Sequence, residues 1–322
     1  MNLGVHKNSF YSWRIFRRFL FAVLFIGSTL TPTITAKATT QIDIPGPPGS
    51  GEFGKLVTAL PNGNFVVADP SYDEGGLTDV GAVYQYDGAT ATLISSLYGS
   101  HTNDRLGNLE IIILTNGHYV VKSPDWDGGR GAATWCSAVT GCSGIVSAAN
   151  SLVGSQADNR VGIQVVKLAN GHYVVGSPDW GITTATNAGA VTWCNGITGC
   201  TGSPSVDNSL VGTRVNDGVG SGGGSGGGTA GLPNGYFVVD SPECDRGITV
   251  DAGAVSLGMR WGGTTEFLTN QNSVRGTVAN GGSDMVWAYD HVNNQILVSR
   301  PADNIVTLFR WGTVYLPILQ RN

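Results

Sequence analysis

The chain has 322 residues, 48 of them Gly, and only 13% are charged, against about 7% Gly and about 25% charge in ordinary domains. That balance excludes a coiled coil and a charge-rich disordered chain, while 41% apolar residues supply a core. The formal net charge is −5.

The first 38 residues predict a signal peptide. Lys7, Arg14, Arg17 and Arg18 precede an apolar run from Phe19 to Leu30, and Ala36-Lys37-Ala38 places small residues where a signal peptidase reads. The run is short of the roughly 20 apolar residues of a membrane span. Cleavage after Ala38 removes these four basic residues and Lys37 but no acid, taking the net charge from −5 to about −10. Such a surface repels phosphate backbones, so nucleic acid is not expected as a partner, and membrane association is expected only through a terminal anchor.

Downstream, the sequence repeats. Leu60-Pro-Asn-Gly-Asn-Phe-Val-Val-Ala-Asp-Pro70 recurs from Leu114, Leu168 and Leu232, each copy ending in Ser-Pro at Pro124, Pro178 and Pro242. A second block opens at Gly81, Gly131, Gly189 and Gly253, and a third at Ser96, Ser151, Ser209 and Ser273. The unit is roughly 53 to 64 residues long and contains four short β-type runs. Asn62-Gly63, Asn116-Gly117, Asn170-Gly171 and Asn234-Gly235 predict two-residue hairpins between strands 1 and 2. The Asp/Ser-Pro pairs stop strand 2, because Pro cannot donate to a ladder. A four-stranded meander repeated in this way predicts an all-β, five-bladed β-propeller.

The expected blades are about 54–106, 107–161, 162–219, 220–283, and 284–312 completed by 41–46. Glycines eight residues apart (Gly99 and Gly107, Gly154 and Gly162, Gly212 and Gly220) recur at Gly46 and Gly54, which makes Gln41 to Ile44 a fourth strand without its first three. At the other end, Met285 to Tyr289, Gln295 to Pro301 and Asn304 to Trp311 read as three strands without a fourth. The N-terminal strand is therefore expected to pair beside Asn304 to Trp311 and close the last blade. The Gly/Ser run 221–228 is a flexible insertion, and the apolar tail 313–322 competes for the outer edge or serves as an attachment signal.

Phe53-Gly54, Val66-Val-Ala-Asp-Pro70 and Gly81-Ala-Val-Tyr84 resemble the FG-GAP repeat of integrin-α-like propellers. The later units are similar to repeats of bacterial surface proteins, and the resemblance covers roughly residues 41 to 312. It implies a secreted propeller used for adhesion or ligand binding. That family often carries an Asp-rich calcium loop where this chain has only an Asn-Gly turn, so calcium is not carried over.

The strand 2 to 3 connections hold the polar variation: Asp73 and Asp79, Asp125 and Asp127, Asp179 and Asn187, then Glu243, Asp245 and Asp251. Turn capping accounts for them, with Asp125, Asp127, Asp245 and Asp251 the residues a calcium ion would need. Asp125, Asp179 and Glu243 occupy equivalent positions after the Pro and could in principle serve acid–base chemistry on a sugar. Repetition alone also explains them. Trp126 and Trp180 follow and offer flat faces to a sugar or protein if exposed, or pack between units. His118 and His172 have no local metal partner, and Gly223 to Gly227 matches a nucleophile elbow only as low-complexity sequence. Cys136 with Cys142, and Cys194 with Cys200, each C-x5-C and each appearing as a pair, predict two local disulfides that leave Cys244 free.

The leading expectation is a secreted or cell-surface binding or adhesion module for an extracellular protein or glycan, with no cofactor, docking through residues 71–79, 125–130, 179–187 and 243–251. The alternatives are a propeller glycoside hydrolase or polysaccharide lyase and a structural surface-layer component.

Overall fold

The structure is a computed structural model that describes residues 41–222 and 228–310. The signal segment, most of the Gly/Ser run and the tail lie outside the described residues. It is all-β and contains five sheets in chain order, antiparallel apart from one short parallel strand in each of two. The first has β1 (Leu56–Ala59), β2 (Phe65–Asp69), β3 (Ala82–Tyr86) and β4 (Leu93–Tyr98). The second has β5 (Ile111–Ile113), β6 (Tyr119–Ser123), β7 (Ala132–Cys136) and, after the short β8 (Gly144–Ile145), β9 (Leu152–Val153). The third has β10 (Gln164–Lys167), β11 (Tyr173–Ser177), β12 (Ala190–Cys194) and β13 (Ser209–Val211). The fourth has β14 (Thr229–Gly231), β15 (Phe237–Ser241), β16 (Ala254–Gly258) and, after β17 (Glu266–Phe267), β18 (Ser273–Arg275). The fifth has only β19 (Val286–Asp290), β20 (Gln295–Arg300) and β21 (Ile305–Arg310). Within each sheet the strands pair as the expected meander, and β8 and β17 reach back to pair in parallel with β4 and β13 of the preceding unit.

The Val-Val pair of each second strand explains how the sheets stack. Successive side chains in a strand point to opposite faces. Val121 thus joins Val66 and Leu97 in the core between the first two sheets, while Val120 joins Tyr173 and Val175 in the next. Likewise Val239 packs with Val174 and Leu210, and Val238 with Ile296 and Val298. Each strand is apolar on both faces because a neighbour covers each, and each buried Val contributes about 1.5–3 kcal/mol. Four cores join neighbouring sheets, and among the described residues none joins the fifth sheet to the first.

Two expectations need correction. The Asn-Gly hairpins are three-residue rather than two-residue loops: Leu60 N donates to Asn64 O (2.8 Å) and Gly63 N to Leu60 O (3.0 Å), and only Gly63, at φ +91°, takes a left-handed backbone. The same loop forms where Thr115 or Ala169 replaces Pro61, so the shared feature is the left-handed Gly that ends a type I turn. Secondly, Gln41 to Ile44 do not close the last sheet. Residues 41–47 carry no strand, among the described residues β21 has β20 as its sole sheet partner, and Ile44 packs with Phe53 and the ring cluster Tyr72, Tyr84, Tyr86 and Tyr98 on the first sheet. Ile44 thus supplies apolar cover for that tyrosine face.

Both expected disulfides are present, Cys136–Cys142 and Cys194–Cys200, and Cys244 is free and buried. Each closes the loop after the third strand of its unit, a chemistry compatible with an oxidising, extracellular setting.

Candidate functional site, an acidic cleft between the third and fourth repeats

The two ends of the strands are built differently. At the Asn-Gly end, each turn Asn caps its own loop and ties the next unit down. Asn62 Nδ2 donates to Ala138 O (2.7 Å), Asn116 Nδ2 to Gly196 O (2.7 Å) and Asn170 Nδ2 to Arg260 O (2.9 Å). Asn234 Nδ2 reaches Asn294 Oδ1 (2.7 Å) in the fifth unit. His118 and His172 belong to the same scaffold, their Nδ1 atoms accepting Ala138 N–H and Gly196 N–H at 3.0 Å, and desolvation lowers the pKa of both rings.

At the opposite end, buried carboxylates join the units beneath longer loops. Asp104 Oδ2 accepts Ser100 N–H (2.6 Å) and His101 N–H (2.8 Å), and its Oδ1 accepts Asp127 N–H (2.7 Å) from the following unit. Asp217 repeats the pattern with Thr213 N–H (2.7 Å), Arg214 N–H (2.8 Å) and Asp245 N–H (2.9 Å). Sequence reading passed over these two residues. Their signal was there, an acid five residues after Gly99 and Gly212 inside the eight-residue glycine interval.

The expected loop acids largely serve their turns. Asp73 Oδ1 accepts Asp79 N–H (2.8 Å) and Asp245 Oδ1 accepts Asp251 N–H (3.0 Å). Asp79, Asp127, Asn187 and Asp251 have φ of 52°, 50°, 53° and 48°, a left-handed backbone that short Asx side chains tolerate. Asp127 also pairs with Arg130 at 2.7 Å. Among the described residues no group of three or more His, Cys, Asp and Glu is placed to hold a metal ion.

Trp126 and Trp180 do not present flat faces: they are 5% and 6% exposed and plug the first and second inter-sheet cores. Trp126 Nε1 donates to Ser100 Oγ at 2.9 Å. The equivalent residue two after Pro is Tyr72 in the first unit and Cys244 in the fourth. Cys244 fills the third core with far less volume than Trp, and burial pushes its thiol up to about 12, which leaves it unreactive. Arg275 reaches over it, Nη2 lying 3.5 Å from its sulfur.

Above that smaller plug lies a cleft of about 520 Å³. Asp179 and Asn187 of the third unit face Glu243, Asp245 and Asp251 of the fourth across Asn216, and no basic side chain lines it. An adjoining cleft of about 480 Å³ shares Glu243 and Asp251 and adds Asp240 and Asn280. The structure thus brings Asp179 and Glu243 together, whereas Asp125 is exposed outside both clefts. Asp240 breaks the repeat, standing where the other units have Ala68, Lys122 and Gly176. It is 7% exposed, and burial pushes its carboxyl up to about 6.

The chain matches a family described as a repeat of unknown function (DUF5650) over residues 59–108, 113–163, 167–221 and 231–285, and it belongs to that family. No curated protein matches it. A solved chain described as the crystal structure of the eukaryotic initiation factor aligns with 82% of this chain and 55% of its own, at 10% identity and a TM-score of 0.34. The chain therefore spans about half of that protein, and a similarity of this size carries no argument.

Proposed function

We propose that this member of the DUF5650 repeat family is a secreted or cell-surface binding module, a five-bladed β-propeller whose contact face is the strand 2 to 3 loops. The meander in each unit, the cores shared by successive sheets and the resemblance to FG-GAP repeats support the propeller. The observation that carries the binding role is the acidic cleft of about 520 Å³, held open by loops whose backbone N–H groups are anchored on Asp217 and Asp245. Rigid strands with variable loops at one end form a scaffold for recognition. The ligand is an extracellular protein or glycan that presents hydrogen-bond donors or positive charge to Asp179 and Glu243.

Protein and glycan arrays probed with the chain from residue 39 identify the ligand. Asp179→Asn combined with Glu243→Gln is expected to weaken binding by about 10-fold or more with little change in stability. Unchanged affinity in that double variant, with loss on altering Asn116 and Asn170 at the other end, would place the ligand on the turn face.

Asp240 favours a second reading, a glycoside hydrolase. Asp240, a carboxyl that burial keeps protonated to about pH 6, lines one cleft with Glu243 and could serve as the general acid of such chemistry. Release of reducing sugar from a polysaccharide panel, abolished by Asp240→Asn, would support it; no release from any polysaccharide leaves the binding role.

A further inference from the structure

His172 has room for one ring proton. It is 6% exposed, and its ring meets Trp193 of β12 at 4.7 Å between centroids and Trp261 of the fourth unit at 4.9 Å. Its Nδ1 accepts the Gly196 N–H at 3.0 Å, so the neutral ring carries its proton on Nε2. Nε2 is buried and has no hydrogen-bond partner among the described residues. A second proton must therefore enter at Nδ1, where it displaces the Gly196 N–H. The charged and titratable side chains on the elements packed about the ring are Lys167 at the end of β10, Tyr173 on β11, Arg260 beside Trp261, and Tyr236 under the Arg260 guanidinium. None is a carboxylate that could hold an imidazolium in place.

Gly196 joins two units. While its N–H is held by His172, its carbonyl accepts Asn116 Nδ2 (2.7 Å) and Trp135 Nε1 (3.0 Å), both from the second unit. The residue is tightly seated, since an added Cβ would lie 1.7 Å from Gly171 O, and a displaced amide disturbs the hairpin as well. We propose that His172 makes this junction acid-sensitive: its protonation expels the Gly196 amide and loosens the tie between the second and third units. The device belongs to the scaffold and does not depend on what the acidic cleft binds. Desolvation holds the ring's pKa below the ordinary 6.5, so the folded protein takes the proton later than the unfolded chain does. The stability tied to this bond is complete above pH 6.5 and is lost as the pH falls below it. His118 makes the same contact with Ala138 N–H, but it is half-buried, and Ile197 stands where the fourth unit has Trp261.

Two measurements on the full chain test this. In nitrogen NMR of ring-labelled histidine, between about pH 7.5 and about pH 4.5, His172 should show the Nε2–H tautomer at the alkaline end and titrate with a midpoint below 6.5. Over the same range the protection of the Gly196 amide, corrected for intrinsic exchange, should fall by about 10-fold or more, while β2 and β3 keep theirs and report a folded protein. His172→Gln, whose side-chain oxygen can accept the N–H but does not titrate, should remove that pH dependence. The ring titration and the wild-type exchange decide the matter even where the variant fails to fold. Retained Gly196 protection while the ring protonates, an equal loss in His172→Gln, or a ring that stays neutral to the acid limit overturns the proposal.

Discussion

The turn end and the loop end of the repeats solve one problem, joining each unit to the next, with different chemistry. At the turn end neutral amides reach across, from loops of constant length, and two disulfides close the neighbouring hairpins. At the loop end Asp104 and Asp217 each hold three backbone N–H groups from two units, beneath loops of unequal length. A neutral amide forgives exposure, whereas a buried carboxylate is strong only while every partner is present. The turn end is therefore a latch, and the loop end a platform fixed from beneath by buried carboxylates.

Breaking the platform should cost most. Asp217→Ala strands three backbone N–H groups and should lower stability by about 4 kcal/mol in denaturant unfolding; a loss comparable to that of an exposed Asp would show that water replaces the carboxylate. On the latch side, Cys194→Ser with Cys200→Ser should cost about 2 kcal/mol, the value for a loop this short, read from the urea midpoint of oxidised chain against variant.

Asp240 sharpens the contrast, because its burial opposes folding. An ordinary aspartate titrates near 3.8 and this one near 6, so the unfolded chain releases its proton first. Stability should fall as pH rises from about 4 to about 6, by up to about 3 kcal/mol, and stay lower above that. Asp240→Asn should remove this slope and stabilise the protein at pH 7 by about 2 kcal/mol. Equal slopes in both proteins would mean that the carboxyl is ionised and solvated. The smallest effect is expected from a single latch: Asn116→Ala loses one bond to Gly196 and one turn cap, about 1 kcal/mol.

Much of this architecture was legible in the chain. The four Val-Val strands, the strands at 286–310, the fixed turns and both C-x5-C disulfides rest on interactions within a few residues, which short motifs encode directly. Even there, the hairpin loops took three residues in every unit, whether Pro61, Thr115 or Ala169 follows the Leu, a detail the Asn-Gly pair concealed. The rest was decided between units. Trp126 and Trp180 could be read as exposed faces or as packing between units, and adjacent sheets supply the volume that buries them. Asp240 breaks the repeat in the sequence, but its burial and raised pKa arise only when its strand is set against a neighbour that removes water. Ile44 was drawn to the first sheet by a cluster assembled from residues spread between Phe53 and Tyr98. Periodicity states which face of a strand is apolar, but which surface covers that face is settled when the sheets meet, because burial is a property of the pair and not of the strand.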